Sequence, residues 1–133
     1  MSDYDVVIVG AGAAGLTAAI YTCRKKLKTV IVSVDVGGQT NLTNHIENYP
    51  GADAQPGPQL MKKFEEQARG FGAELIGGKV QKVEKAGRGK DSGFHLQLAS
   101  GEKLKTRAVI LAFGKVSRSL GIPGEEKFLG RGV

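Results

Sequence analysis

Tryptophan is absent from this 133-residue chain, cysteine occurs once and proline four times. The lone cysteine, Cys23, leaves no internal disulfide, no Cys-based zinc site and no self-contained dithiol. No apolar run approaches the roughly 18 residues that a membrane helix needs. The opening stretch carries Asp3 and Asp5 but no basic region, so it does not read as a signal peptide. A cytoplasmic location without a membrane partner is the expectation. Aromatic residues make up only 6% and do not interleave with the lysines, which argues against nucleic acid as a partner. Residues 1–50 hold four basic and four acidic side chains, so the formal net charge of +6 lies wholly in residues 51–133. At 41% hydrophobic content the chain is no disordered tail, and its length suits one domain with a real core.

What the chain has in excess is glycine, 20 residues, about twice the usual ~7%. The glycines are not periodic, which excludes collagen-like and repeat architectures; they gather at junctions and turns. Asp5–Gly10 is a short, continuous apolar run and predicts a strand buried on both faces. Ala13 to Lys25 is alanine-rich with a basic end, which predicts a helix. Lys28–Ser33 predicts a second buried strand, giving a right-handed βαβ unit and a parallel sheet. Residues 35–57 are polar and rich in turn formers, a connection long enough to suggest that it lines a site. Pro58 to Phe71 returns to helical spacing, with Leu60, Met61, Phe64, Ala68 and Phe71 as its core stripe. Ala73–Ile76 predicts a third parallel strand.

The pattern then alternates. Lys79–Glu84, Gly93–Ala99 and Glu102–Thr106 predict a small antiparallel meander, with a polar turn around Lys82–Lys90. Ala108–Ala112 predicts one more buried strand, and residues 116–133 show no period and read as a connector. The fold class is α/β.

Gly10, Ala11, Gly12, Ala13, Ala14 and Gly15 fit G-x-G-x-x-G. The pattern alone is weak, but here it ends an apolar strand and opens a helix. Gly10 permits the tight turn, Gly12 lets the backbone approach a pyrophosphate, and Gly15 lets helix and strand pack closely. The free amides of the helix start then face the phosphates. The competing reading is a tight strand–helix turn without a ligand. An acid about 20 residues after the turn holds the ribose in such sites. Asp35 has the spacing but lies beyond the apparent strand end at Ser33–Val34; it competes with Ser33, and with the role of a solvated loop acid.

A more specific signal follows. Gly37-Gly38-Gln39, then Glu47-Asn48-Tyr49-Pro50-Gly51, combined with the N-terminal YDVVIVGAGAAGLTAAIY, resembles the FAD domain of the low-molecular-weight thioredoxin reductases, class II of the pyridine nucleotide-disulfide oxidoreductases. The resemblance continues through Phe71–Glu74, Ala108–Gly114, Arg118–Glu125 and Phe128–Val133, so it spans essentially the whole chain. It implies the N-terminal part of a three-layer, Rossmann-like FAD/NAD(P)-binding domain over residues 1–115. Residues 116–133 would then connect toward an NADPH domain. Gly10–Gly15 would hold the FAD pyrophosphate, and Ser33–Thr40, with Asp35, Gly38 and Gln39 among them, would run past the ribose and ribityl chain. Gln39 and Asn48 would lie near the isoalloxazine ring, the Val80 backbone would meet the adenine, and Ala112 and Gly114 would form a turn near the cofactor. Asn48 also suits a simple turn role, and Gln39 that of an exposed loop amide. His45 reads as a loop histidine, Cys23 as a packed thiol, and Phe64 and Phe71 as core residues. Two positions depart from the family: Ala13 stands where it has Pro, and Phe113 where its A-T-G turn has Thr.

The resemblance implies a flavoprotein oxidoreductase in which NADPH reduces FAD and FAD reduces a dithiol pair that serves a thioredoxin-type protein. This sequence contains neither the family's C-x-x-C nor a second G-x-G-x-x-G. It therefore supplies residues only for holding the flavin, with no catalytic residue and no metal ligand. The chain by itself is expected to be inactive as a reductase, and to form a homodimer or be completed by another chain. The alternatives are a ferredoxin–NADP reductase of the same architecture, a non-catalytic FAD-binding module, and a minimal NAD-binding module in which the GGQ and ENYPG segments have no role.

Overall fold

The computed structural model describes residues 2–87 and 92–131. The end of the Lys82–Lys90 stretch and the last two residues of Phe128–Val133 lie outside the described residues. In chain order the elements are β1 (Ser2–Ala11), α1 (Ala13–Arg24), β2 (Thr29–Val36), a 3-10 turn (Gly38–Leu42), α2 (Gly57–Gly70), β3 (Glu74–Gly77), β4 (Val80–Ala86), β5 (Gly93–Leu98), β6 (Lys103–Leu111) and the short α3 (Glu125–Phe128).

The six strands form one sheet in the order β3-β2-β1-β6-β5-β4. β3, β2, β1 and β6 run parallel, while β5 and β4 are added antiparallel. On one face, Leu16, Ala19 and Cys23 of α1 and Ala68 of α2 pack on Val6, Ile8 and Ile31. On the other, Leu96, Leu98 and Leu104 pack on Val7, Val30 and Val32. The antiparallel half therefore folds back as a third layer behind β1 and β2. That double cover is why their sequences are continuous apolar runs instead of alternating ones. Fully buried leucines such as Leu16 and Leu96 each contribute about 1.5–3 kcal/mol by leaving water.

Several sequence expectations need correction. Glu102–Thr106 and Ala108–Ala112 are not two strands; the single strand β6 pairs antiparallel with β5 through Lys103–Thr106 and parallel with β1 through Leu104–Leu111. One strand can border both halves because each of its edges serves a different neighbour. Nor is its C-terminal half fully buried: Ala108 and Leu111 are exposed, since the helical layer centres on β1, β2 and β3. Phe71 is exposed too, because it is the residue just past α2, where the helical stripe no longer points it inward. Phe64 is half-buried and meets Tyr49 edge-on, with ring centroids 5.7 Å apart.

The 35–57 connection is more ordered than its composition suggests. β2 continues to Val36, the 3-10 turn follows, and Ile46 and Gln55 exchange two backbone hydrogen bonds of 2.9 and 3.0 Å. Lys82–Ala86 belongs to β4 and not to a turn. Within the connector, Glu125 accepts hydrogen bonds from Ser119 Oγ and from the amides of Leu120 and Gly121. These bonds hold its carboxyl below the ordinary carboxylate value, the Leu120 amide foremost, and clip the tail into a loop.

Candidate functional site

Where a parallel sheet changes winding direction, the strand ends splay and leave a crevice at their carboxyl edge. Here the chain moves from β1 outward to β2 and β3, then returns on the other side of β1 as β6. A cleft of about 870 Å³ opens at that edge, lined from the ends of β1, β2 and β6, the 3-10 turn and the β3–β4 junction.

Three glycines shape its floor by different means. Gly10 adopts φ +109°, and a Cβ there would strike the Ala112 carbonyl, so the turn lies directly on the chain leaving β6. At Gly15 a Cβ would collide with the Gly10 carbonyl, which lets α1 seat against the turn. Gly12, by contrast, has an ordinary φ of −78° and a Cβ direction that meets nothing within 4 Å. Its missing side chain is not required by packing, and the space it leaves belongs to the cleft. The first helical hydrogen bond runs from Leu16 N–H to Gly12 O at 3.0 Å. The amides of Ala13, Ala14 and Gly15 therefore have no intrahelical partner and sit at the positive end of the helix dipole.

A second glycine pair brings the next segment alongside. Gly37, at φ +102°, donates its amide to Ala11 O at 2.8 Å, and Asn41 Nδ2 donates to Val36 O at 2.7 Å. Gly57 at the start of α2 lies so close to the Thr40 carbonyl that a Cβ there would overlap it. The 3-10 turn is thus fixed from both sides, with Gly38, Gln39 and Thr40 on the cleft wall.

The cleft gathers Gly10, Ala11, Gly12, Ala13, Ala14, Ser33, Asp35, Gly38, Gln39, Thr40, Val80, Ala112 and Gly114. Asp35 lies inside β2 and not beyond it. Ser33–Asp35 face the single residue Gly10 where the β1–β2 register shifts between Val32 and Val36, a bulge that carries both Ser33 and Asp35 to the cleft. Ser33 is half-buried and Asp35 exposed. Two of the candidate residues are not brought in: Gly15 is buried behind the turn, and Asn48 is exposed on the 46–55 loop, outside the cleft lining. His45, just before that loop, has Glu47 Oε2 at 3.3 Å from its Nε2, with both side chains exposed. Leu42, Gly78, Lys79, Lys115 and Val116, which the sequence does not single out as site residues, also line the cleft. Their signal was positional: each lies within a few residues of a parallel strand's carboxyl end.

A second cleft of about 660 Å³ lies at the opposite end of the sheet, between Tyr4, Lys28, Phe94 and Arg107. Among the described residues that line it there is no helix N-terminus. Among the described residues no cluster of three or more His, Cys, Asp or Glu could hold a metal ion, and no helix is long and apolar enough to cross a membrane.

Comparison with known proteins agrees with this geometry. The family model described as pyridine nucleotide-disulphide oxidoreductase matches residues 4–133. The thioredoxin reductase of Treponema pallidum is 45% identical over 99% of the chain, and that of Bacillus subtilis 43% identical over 98%. Among solved structures, the Lactococcus lactis thioredoxin reductase superposes with a TM-score of 0.83 at 40% identity over 96% of this chain and 41% of that one. The T. acidophilum enzyme gives 0.84 at 33% identity over 99% and 42%. The chain spans about two fifths of the length of the curated relatives it matches, 42% and 40% for these two.

Proposed function

The chain belongs to the pyridine nucleotide-disulphide oxidoreductase family, and from that membership we propose that it is the flavin-holding part of a thioredoxin-reductase-like oxidoreductase. FAD, when bound, supplies the two-electron chemistry; this chain's residues bind and orient it. The amides of Ala13 and Ala14 and the open face of Gly12 take the pyrophosphate, with Gly10 and Gly15 fixing the turn through packing. Ser33 and Asp35 face the adenosine ribose, and the backbone at Val80 faces the adenine. Gly38, Gln39, Thr40, Ala112 and Gly114 wall the remainder. Asn48, exposed and outside the cleft lining, is not in this set. The activity assigned to the whole oxidoreductase is NADPH-dependent reduction of a protein disulfide, with a thioredoxin-type protein as acceptor, in the cytoplasm.

The observation that carries the proposal is Gly12: a glycine with an L-allowed backbone, facing empty cleft, at a helix start with unpaired amides. Gly10 and Gly15, by contrast, are required by a positive φ or by a packed neighbour. Titrating the purified chain with FAD, followed by the visible flavin band, tests it. Saturable binding is expected in the parent chain, weakened at least 100-fold in Gly12→Val while the fold is retained. Equal binding by both proteins would remove the glycine turn from the site, and no binding by the parent would remove the flavin reading.

A further inference from the structure

Phe113 is the residue that the fold leaves in an unusual position. Ala112 donates its amide to Val9 O at 2.8 Å, and the Phe113 Cα lies 2.9 Å from where a Gly10 Cβ would stand. Its backbone is therefore held against the glycine turn. The residue nevertheless lines the cleft and is 69% exposed. Leu42 and Val116 line the same cleft and are also exposed. Exposed apolar side chains gathered in one concave site, beside polar groups such as Lys115, mark a surface meant to be covered.

The direction of the ligand follows from the topology. A dinucleotide crosses the switch point with its phosphates at the glycine turn of β1 and its adenosine ribose at the end of β2. That places the adenosine half over β2 and β3, and leaves the other half on the side of β6, where Phe113 stands. A planar ring held beside a planar heterocycle favours offset stacking.

We propose that Phe113 is a stacking platform for the flavin half of a bound FAD, and that it sets the domain's preference for FAD over nucleotides lacking the isoalloxazine. The proposal rests on the FAD reading above and adds to it a residue at which the side chain, not the backbone, makes the contact.

Isothermal titration of the parent chain and its Phe113 variants with FAD, and separately with ADP, tests it. Because the ring is largely exposed, its truncation leaves no cavity, and far-UV circular dichroism with thermal melting confirms that the variants fold. Phe113→Ala is expected to weaken FAD roughly ten-fold while ADP stays within about two-fold. Phe113→Tyr keeps both affinities within about two-fold, and Phe113→Leu, which keeps bulk but has no π face, loses most of the FAD affinity that alanine loses. Unchanged FAD binding in Phe113→Ala, an equal loss for ADP, or parent-like FAD binding in Phe113→Leu overturns the stacking role and leaves the FAD reading intact. A parent chain that binds ADP but not FAD, or neither, overturns both.

Discussion

Tyr4 sits on β1 with its ring nearly buried and its hydroxyl donating to Glu74 Oε2 at 2.7 Å across the sheet. Lys28 Nζ lies 4.7 Å from the ring centroid. Burial, then the hydrogen bond to Glu74 and the negative charges of Glu74 and Glu102, push the phenol up to about 12. The ordinary value is about 10, so the fold favours the neutral form. That stability is present in full below about pH 10 and is lost as pH rises toward 12. Tyr4→Phe is expected to cost about 1 kcal/mol at pH 7 by removing the hydrogen bond, and the difference from the parent should close near pH 11. Urea unfolding at the two pH values reads this directly; an unchanged difference at pH 11 would mean that the phenol titrates alike in both states. Nothing local in the sequence announced this pair, because Tyr4 and Glu74 are 70 positions apart. The glycine turn was legible because its spacing is local, and neighbours in sequence determine how its backbone is directed.

At the scale of elements, α1 seats on β1 only because two backbone segments approach more closely than a side chain permits. Gly15 lies on the Gly10 carbonyl, and Gly10 on Ala112. Gly10→Ala and Gly15→Ala are therefore expected to destabilise the chain by roughly 3 kcal/mol each, through overpacking and, at Gly10, a positive φ. Gly12→Ala should stay within about 0.5 kcal/mol of the parent. Chemical denaturation of the three variants checks the contrast, and a comparable loss at Gly12 would contradict the open space seen there. Element existence was readable from local pattern: β1, α1, β2, α2, β3, β4 and β5 stand within a few residues of their sequence expectations, while the last two expected strands are the single β6. Boundaries were not. β2 outran its apolar run because pairing with β1 resumes at Val36 after the bulge, and Phe71 matched the helical stripe while lying just beyond the helix end.

Across the whole molecule, one six-stranded sheet supplies both the parallel floor of the cleft and the layer that covers its back. Ligand binding at the switch point then draws on strand ends from both halves, so it should be felt by the entire fold. At 100 times its dissociation constant, FAD contributes about 2.7 kcal/mol to stability. For a domain of this length that is a rise in Tm of roughly 10 °C. Differential scanning fluorimetry should show this rise in the parent chain and none in Gly12→Val; a rise in both would place the flavin elsewhere, the cleft at the opposite end of the sheet included.

The sequence by itself determined the α/β class, the strand–turn–helix that opens the chain, and the glycines of its tight turn. Each of these depends on neighbours within a few positions, where periodicity and glycine chemistry act. Only the tertiary structure decided that β6 would join the two halves, that both Ser33 and Asp35 would reach the cleft, that Asn48 would not, and that Phe113 would stand exposed on its wall. Those outcomes depend on which strand pairs with which and on how far each extends. Strand pairing is a contest among segments distant in sequence, and the free energies that settle it come from surfaces that exist only once the sheet has formed.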